Sequence, residues 1–461
     1  MLKRAGESID PAGAVIAIKD AAWPAPFASE LEFNSPAHGT WNIVHTGMRV
    51  PGARQIYVCA GNCMRGVVLT AAEMNEADRF SFVIVEEENL LNGNLEDVTI
   101  DGVTDVIEKL DERPKAVLLF TVCLHHFLGC DLERVYGELE SRFPDIFFVR
   151  CYMDPIMQKN GLTPDQKLRK AMYDPLPRLT EEEINNRAVS LLGSDFALDE
   201  TSDIARILEA NDFALRELPK CSTWEEYLNL AESGMFISCY PSGRYGAEEQ
   251  AGRLGRKHLY LPACFSYEEI IRHLEELAAS LRQLRDKGGS ENMKEISLLN
   301  YDAEIASCEA ALAGALSEIG DMPVAIDCTF HPRPLGLARL LIAHGFSVNT
   351  VYLDGISPEE KDDFEWLRVH APELVLSATI QVKMRVLPRH GEREVLAIGQ
   401  KAAWFTGSRH FVNVVQGGGL YGLYGFDGIR RLAGLMTEAI HEEKDTEDLV
   451  IRKGWGCESC I

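Results

Sequence analysis

Lys115-Ala-Val-Leu-Leu-Phe-Thr-Val122 is an unbroken apolar run of strand length, which fits a parallel strand covered on both faces by helices. Cys123 falls at its carboxyl end. Next comes Gly129-Cys-Asp-Leu-Glu-Arg-Val-Tyr-Gly-Glu-Leu-Glu-Ser-Arg-Phe143, whose apolar positions 132, 135, 136 and 139 share one face of a helix. Asp131 is placed to cap that helix, and Asp145-Ile-Phe-Phe-Val-Arg150 reads as the following strand. The whole is a β-α-β unit.

The same grammar recurs downstream. Met235-Phe-Ile-Ser-Cys-Tyr240 runs through a Pro-Ser-Gly loop into an alanine- and glutamate-rich helix and then His258-Leu-Tyr-Leu261. Pro323-Val-Ala-Ile-Asp-Cys328 passes through Pro332 and Pro334 into a helix over 335–344 and on to Val348-Asn-Thr-Val-Tyr-Leu353. Strands alternating with helices predict an α/β protein of three doubly wound, Rossmann-like domains with parallel sheets around a central cleft. We place the domains at 1–190, 191–310 and 311–461. The stretch 267–320 is helical in pattern and is broken by Lys287-Gly-Gly-Ser290, so it bridges the second and third domains.

Ligand sites in such sheets open at the carboxyl ends of strands, where Cys123, Cys239 and Cys328 all fall. The chain of 461 residues carries 46 Lys and Arg against 71 Asp and Glu, a net charge of -25, which argues against nucleic acid and anionic membranes as partners. No run reaches the roughly 18 apolar residues of a membrane span, and Glu7, Asp10, Lys19 and Asp20 interrupt any signal-like segment. The expected compartment is the cytoplasm. There, twelve cysteines are not a disulfide framework, and most are expected to be small buried apolar residues.

Clustered thiols stand apart from that default. Cys59-Ala-Gly-Asn-Cys63 lies at the start of a helical stretch; its glycine-containing turn lets two sulfurs converge, and amides at a helix start favour the charge of thiolates and sulfides. With Cys123 this makes a candidate iron-sulfur site, the alternative being structural thiols. Zinc fits less well, because structural zinc takes four close ligands in paired short motifs. Gly454-Trp-Gly-Cys-Glu-Ser-Cys-Ile461 adds a Cys-x-x-Cys, Cys457 and Cys460, suited to metal capture or dithiol chemistry.

Six segments in order resemble the nitrogenase component 1 family, which includes protochlorophyllide and chlorophyllide reductases and the scaffolds of nitrogenase cofactor assembly. They are Cys59-Ala-Gly-Asn-Cys-Met-Arg-Gly-Val-Val68, Glu86-Glu-Glu-Asn-Leu-Leu-Asn-Gly-Asn-Leu95, Thr121-Val-Cys-Leu-His-His-Phe-Leu-Gly-Cys-Asp131, Ser238-Cys-Tyr-Pro-Ser242, Pro372-Glu-Leu-Val-Leu-Ser377 and Gly417-Gly-Gly-Leu-Tyr-Gly-Leu-Tyr-Gly-Phe-Asp-Gly428. The resemblance implies that Cys59, Cys63 and Cys123 hold an iron-sulfur cluster, 4Fe-4S or larger, near a subunit interface where a partner chain completes it. It also implies that Cys239 faces a cofactor or substrate cavity, with room for a second metallocofactor. Implied partners are an ATP-dependent iron protein and a second component 1 chain, identical or paralogous.

Departures from the family pattern narrow the function. Val414-Val-Gln416 stands where true nitrogenases carry a cofactor-binding histidine, so dinitrogen reduction is not expected. Cys130 replaces an acidic residue and is a weaker candidate ligand, as are Cys457 and Cys460. His45 resembles part of a His-Gly-Pro element, and His125 and His126 follow Cys123 directly; each has a structural reading of equal weight. Pro332 and Arg333 are placed to contact an anionic substrate, a proline-fixed turn being the simpler account. The reading is a nitrogenase-like iron-sulfur reductase subunit acting on a small molecule, the alternative being a scaffold that assembles or transfers a metallocofactor without turnover.

Overall fold

A computed structural model describes residues 11, 13–28, 31–32, 43–73, 75–154, 161–287, 295–385, 387, 394–412 and 423–446. Near the N-terminus β1 (Val15–Ala17) joins a sheet built mostly from the far end of the chain. β2 (Ala53–Cys59), β3 (Phe80–Ile84), β4 (Ala116–Val122) and β5 (Phe147–Met153) then form the first sheet, ordered β3-β2-β4-β5 and parallel throughout. Every residue of β4 is buried, as its unbroken apolar sequence requires. The helix Leu132–Arg142 follows, and the Asp131 carboxylate accepts from the Arg134 amide as its cap.

The second sheet holds β6 (Asn185–Leu191), β7 (Ala214–Glu217), β8 (Ser233–Ser238) and β9 (Lys257–Tyr260) in the order β7-β6-β8-β9, again parallel. The third holds β10 (Val324–Asp327), β11 (Val348–Tyr352), β12 (Val375–Ser377), β13 (Leu396–Ile398) and β14 (His410–Val412) in the order β1-β12-β11-β10-β13-β14. Its strands are parallel except for β1, which pairs antiparallel with β12. Two long helices, Tyr267–Lys287 and Tyr301–Ile319, flank the glycine break read from the sequence.

Three boundary details differ from the sequence reading. β1 lies in the third sheet although it precedes residue 190, because three half-buried residues supply an edge partner for β12 that no periodicity announces. Residue 190 falls inside β6, whose polar start, Asn185-Asn-Arg187, conceals a strand. Residue 310 falls inside the helix Tyr301–Ile319.

In each sheet the chain leaves one strand, adds a neighbour on one side, and returns to the other. The reversals lie between β2 and β4, β6 and β8, and β10 and β13, and such switch points open crevices at the carboxyl ends of the strands. Continuous apolar cores join the units. One contains Tyr57, Phe120, Phe236 and Ala247 together; another runs from Ile237 and Leu261 through Leu312 to Ile326 and Phe426.

Polar contacts cross between units as well. Asp203 is fully buried, and its Oδ2 accepts from the Phe426 amide at 2.6 Å. Gly425, at φ 63°, leaves no space for a Cβ, which would meet that oxygen at 2.1 Å. Burial pushes the Asp203 carboxyl up to about 7, and the charges of Glu304 and Asp427 act in the same direction. The folded chain therefore keeps a proton that an unfolded aspartate releases near pH 4, so this group makes stability fall as pH climbs from about 4 to about 7. Asp203→Asn should flatten the decline in thermal stability between pH 5 and pH 8, by about 3 kcal/mol; parallel wild-type and variant curves would show that Asp203 ionises normally.

Candidate functional site

Cys59 ends β2 and Cys123 immediately follows β4, so the two thiols flank the switch point of the first sheet. The register pairs Tyr57 with Phe120, and their rings stack at 4.2 Å directly below. Cys63 enters from the first turn of the helix Gly61–Glu73, its amide bonded to the Ala60 carbonyl at 2.9 Å. Cys59 is buried, Cys123 half-buried and Cys63 exposed.

Burial pushes the Cys59 thiol up to about 12, with the charge of Cys63 adding to the effect. Cys123 is raised by burial, then by Cys63 and Asp154, against the amides of Leu124 and of Cys123 itself. Cys63 thus lies within electrostatic reach of both other sulfurs. The three are not drawn within 4.8 Å of one another, a closeness that among the described residues only Cys264, Glu269 and His273 show. Wider spacing suits a multi-iron cluster, whose thiolates bind different irons, better than a single ion. The donor set, three thiols of which Cys63 is exposed, fits such a group.

His125 is buried and serves the strand end: its Nδ1 accepts from the Val122 amide at 3.2 Å and its Nε2 lies 3.3 Å from the Thr99 hydroxyl. Burial draws its pKa down to about 4, so it is neutral. His126 is exposed, and His45 is buried in the helix Ile43–Met48. Cys130 donates to Glu96, and burial with that carboxylate pushes its thiol up to about 12. It lines a cavity of about 190 Å³ with Thr121, His125, His126, Asp154 and Lys167. Exposed apolar side chains accompany the thiols: Phe127 is 66% and Leu128 51% accessible on the turn after Cys123, and Leu91 is 81% accessible on the nearby acidic segment.

Cys239 follows β8 at the switch point of the second sheet and is buried in the core shared with the third. Burial, then the charge of Glu217, raises its thiol, and the buried Tyr424 feels its charge. Gly243, in the next turn, packs on Gly193 at the end of β6 so closely that an added Cβ would meet the Gly193 carbonyl at 2.2 Å. Cys328 follows β10; burial pushes it up to about 12 against the opposing charge of Lys401. Lys401 is itself buried and donates to Thr379 at 2.8 Å. Cys457, Cys460, Val414-Val-Gln416 and the first half of Gly417-Gly-Gly-Leu-Tyr-Gly-Leu-Tyr-Gly-Phe-Asp-Gly428 lie outside the described residues.

Three groups escaped the sequence reading. Arg169 is fully buried among Asp165, Asp195, Thr46 and the Tyr240 ring. Lys401 sits at the third switch point. Cys264, Glu269 and His273 converge; the spacing of Glu269 and His273, i and i+4 on one helix with a cysteine just before it, is the signal that could have found them. Arg333, in the turn set by Pro332 and Pro334, pairs with Glu269 at 2.8 Å and Asp363 at 3.5 Å. No described helix is long and apolar enough to cross a membrane.

Two solved structures share this fold. "Nitrogenase Cp1 at pH 6.5" is 12% identical with a TM-score of 0.63, over 90% of this chain and 94% of that one. "Nitrogenase Cp1 at pH 5" is also 12% identical, with a TM-score of 0.56 over 93% and 94%. Identity this low speaks for the fold alone. No curated protein matches the chain in sequence. The family described as nitrogenase component 1 type oxidoreductase matches residues 97–441, a span that includes Cys123 and Cys239 and begins after Cys63. With three-quarters of its length matched, the chain belongs to the nitrogenase component 1 type oxidoreductase family.

Proposed function

We propose that the chain is one subunit of a nitrogenase-like reductase, in which Cys59, Cys63 and Cys123 supply thiolates to an iron-sulfur cluster shared with a second component 1 chain. The observation that carries this reading is the position of Cys59 and Cys123 on the two strands that flank a switch point, with Cys63 within reach of both. When bound, the cluster supplies one-electron redox chemistry, delivered to it by an ATP-dependent iron protein.

The chain's own residues prepare the site. Raised thiols stay protonated until metal arrives, so loading releases protons. His125, held neutral, fixes the turn that aims Cys123. The apolar rim of Phe127, Leu128 and Leu91 favours burial against a partner chain, which lowers solvent access and hence the potential. Reduction of a small molecule, with a second metallocofactor, is assigned to the neighbourhood of Cys239, in the core shared by the second and third sheets.

A second reading, assembly or transfer of a metallocofactor without turnover, is favoured by Val414-Val-Gln416 in place of the family's histidine, since weaker ligation eases release. Anaerobic purification with its partner chain, iron quantification and electron paramagnetic resonance on reduction test the cluster. Turnover of an electron acceptor that needs both ATP and an iron protein identifies the reductase; delivery of a cofactor to an apoprotein without such turnover identifies the scaffold. Protein that binds no iron under any of these conditions refutes both.

A further inference from the structure

We propose that Cys264, Glu269 and His273 form a mononuclear site for a divalent transition metal of the zinc class, separate from the cluster thiols. The three ligand atoms lie within 4.8 Å of one another. Cys264 Sγ is 4.0 Å from His273 Nδ1, and His273 Nε2 is 3.8 Å from Glu269 Oε1. Cys264 and His273 are buried and Glu269 is partly so.

Local sequence explains the convergence. Glu269 and His273 stand one turn apart on the helix Tyr267–Lys287, so both project from one face. Cys264, in the connection after β9, reaches back over the start of that helix. A thiolate, an imidazole and a carboxylate make a mixed set that suits tetrahedral zinc or cobalt and leaves a fourth position for water.

The surroundings support a cation. The Tyr424 hydroxyl is buried without a hydrogen-bond partner among the described residues and feels the charges of Cys264 and Glu269. Arg333 now shares Glu269, but it also reaches Asp363 at 3.5 Å, so its charge keeps a carboxylate when a metal takes Glu269. Binding exchanges the Cys264 thiol proton, released to solvent, for a metal–sulfur bond, with no change of oxidation state. The metal would tie the connection after β9 to the first turns of the helix Tyr267–Lys287.

Cobalt(II) titration of the full, chelator-treated chain tests the site. One cobalt per chain at this site should give a sulfur-to-cobalt charge-transfer band and tetrahedral visible bands. Cys264→Ser should remove that band, and His273→Gln and Glu269→Gln should each weaken binding by at least about tenfold. Because Cys264 is buried, circular dichroism of each variant establishes that it folds, and Glu269→Gln, at a partly exposed position, serves if the others do not. An unchanged spectrum and affinity in all folded variants would place the cobalt on other thiols and overturn the proposal, as would the absence of cobalt binding.

Discussion

Cys123→Ala is expected to strip the chain of iron while leaving its fold in place. Cys123 is half-buried at the end of β4, outside the apolar cores, so truncating it removes few contacts and costs on the order of 1 kcal/mol. The strand and the turn after it stay held by Val122 and His125. A cluster deprived of one of three thiolates from this chain loses its attachment across the switch point, and iron content and the resonance signal of the reduced protein should fall together. Cys151→Ala is the matched control. Cys151 is completely buried in β5, on the strand next to Cys123, so its loss should lower the melting temperature and leave iron unchanged. The opposite pattern, iron retained in Cys123→Ala and lost in Cys151→Ala, would remove Cys123 from the ligand set.

That contrast shows how far each link of the argument was legible. The strand announced by an uninterrupted apolar run, Ala116–Val122, was read from sequence with its ends correct to within one residue, because burial on both faces leaves no polar alternation to confuse it. Val15–Ala17 and Asn185–Leu191 were not, since the first is three residues long and the second begins with polar side chains. Strand order also lay beyond local pattern: that β2 and β4 are neighbours, which brings Cys59 beside Cys123, is a property of the whole sheet. The ion pairs of Arg333 lay beyond local pattern for a related reason. Its partners Glu269 and Asp363 lie 64 and 30 residues away, and no local motif records that a charge is already neutralised.

Arg169→Met should destabilise the protein by about 3–5 kcal/mol. Arg169 is 1% accessible. Its Nε donates to Asp165 Oδ2 at 3.0 Å, its Nη1 and Nη2 grip the two oxygens of Asp195 at 2.9 and 2.5 Å, and Nη1 also reaches the Gly193 carbonyl at 3.0 Å. Methionine fills much of the volume but leaves two carboxylates buried without their cation, and it is the stranded charge, more than lost packing, that carries the cost. The carboxylates differ in their response: Asp195 is held below the usual range mainly by Arg169 against its burial, whereas burial already raises Asp165. Asp195→Asn in the Arg169→Met background should therefore restore part of the lost stability, more than Asp165→Asn does. The consequence reaches the candidate site, because Arg169 also lies 4.9 Å over the Tyr240 ring and donates to Thr46, tying the residue beside Cys239 to the segment before β2. If the double variant proves no more stable than Arg169→Met alone, the buried charge is not the source of the loss, and the network holds the units together by shape alone.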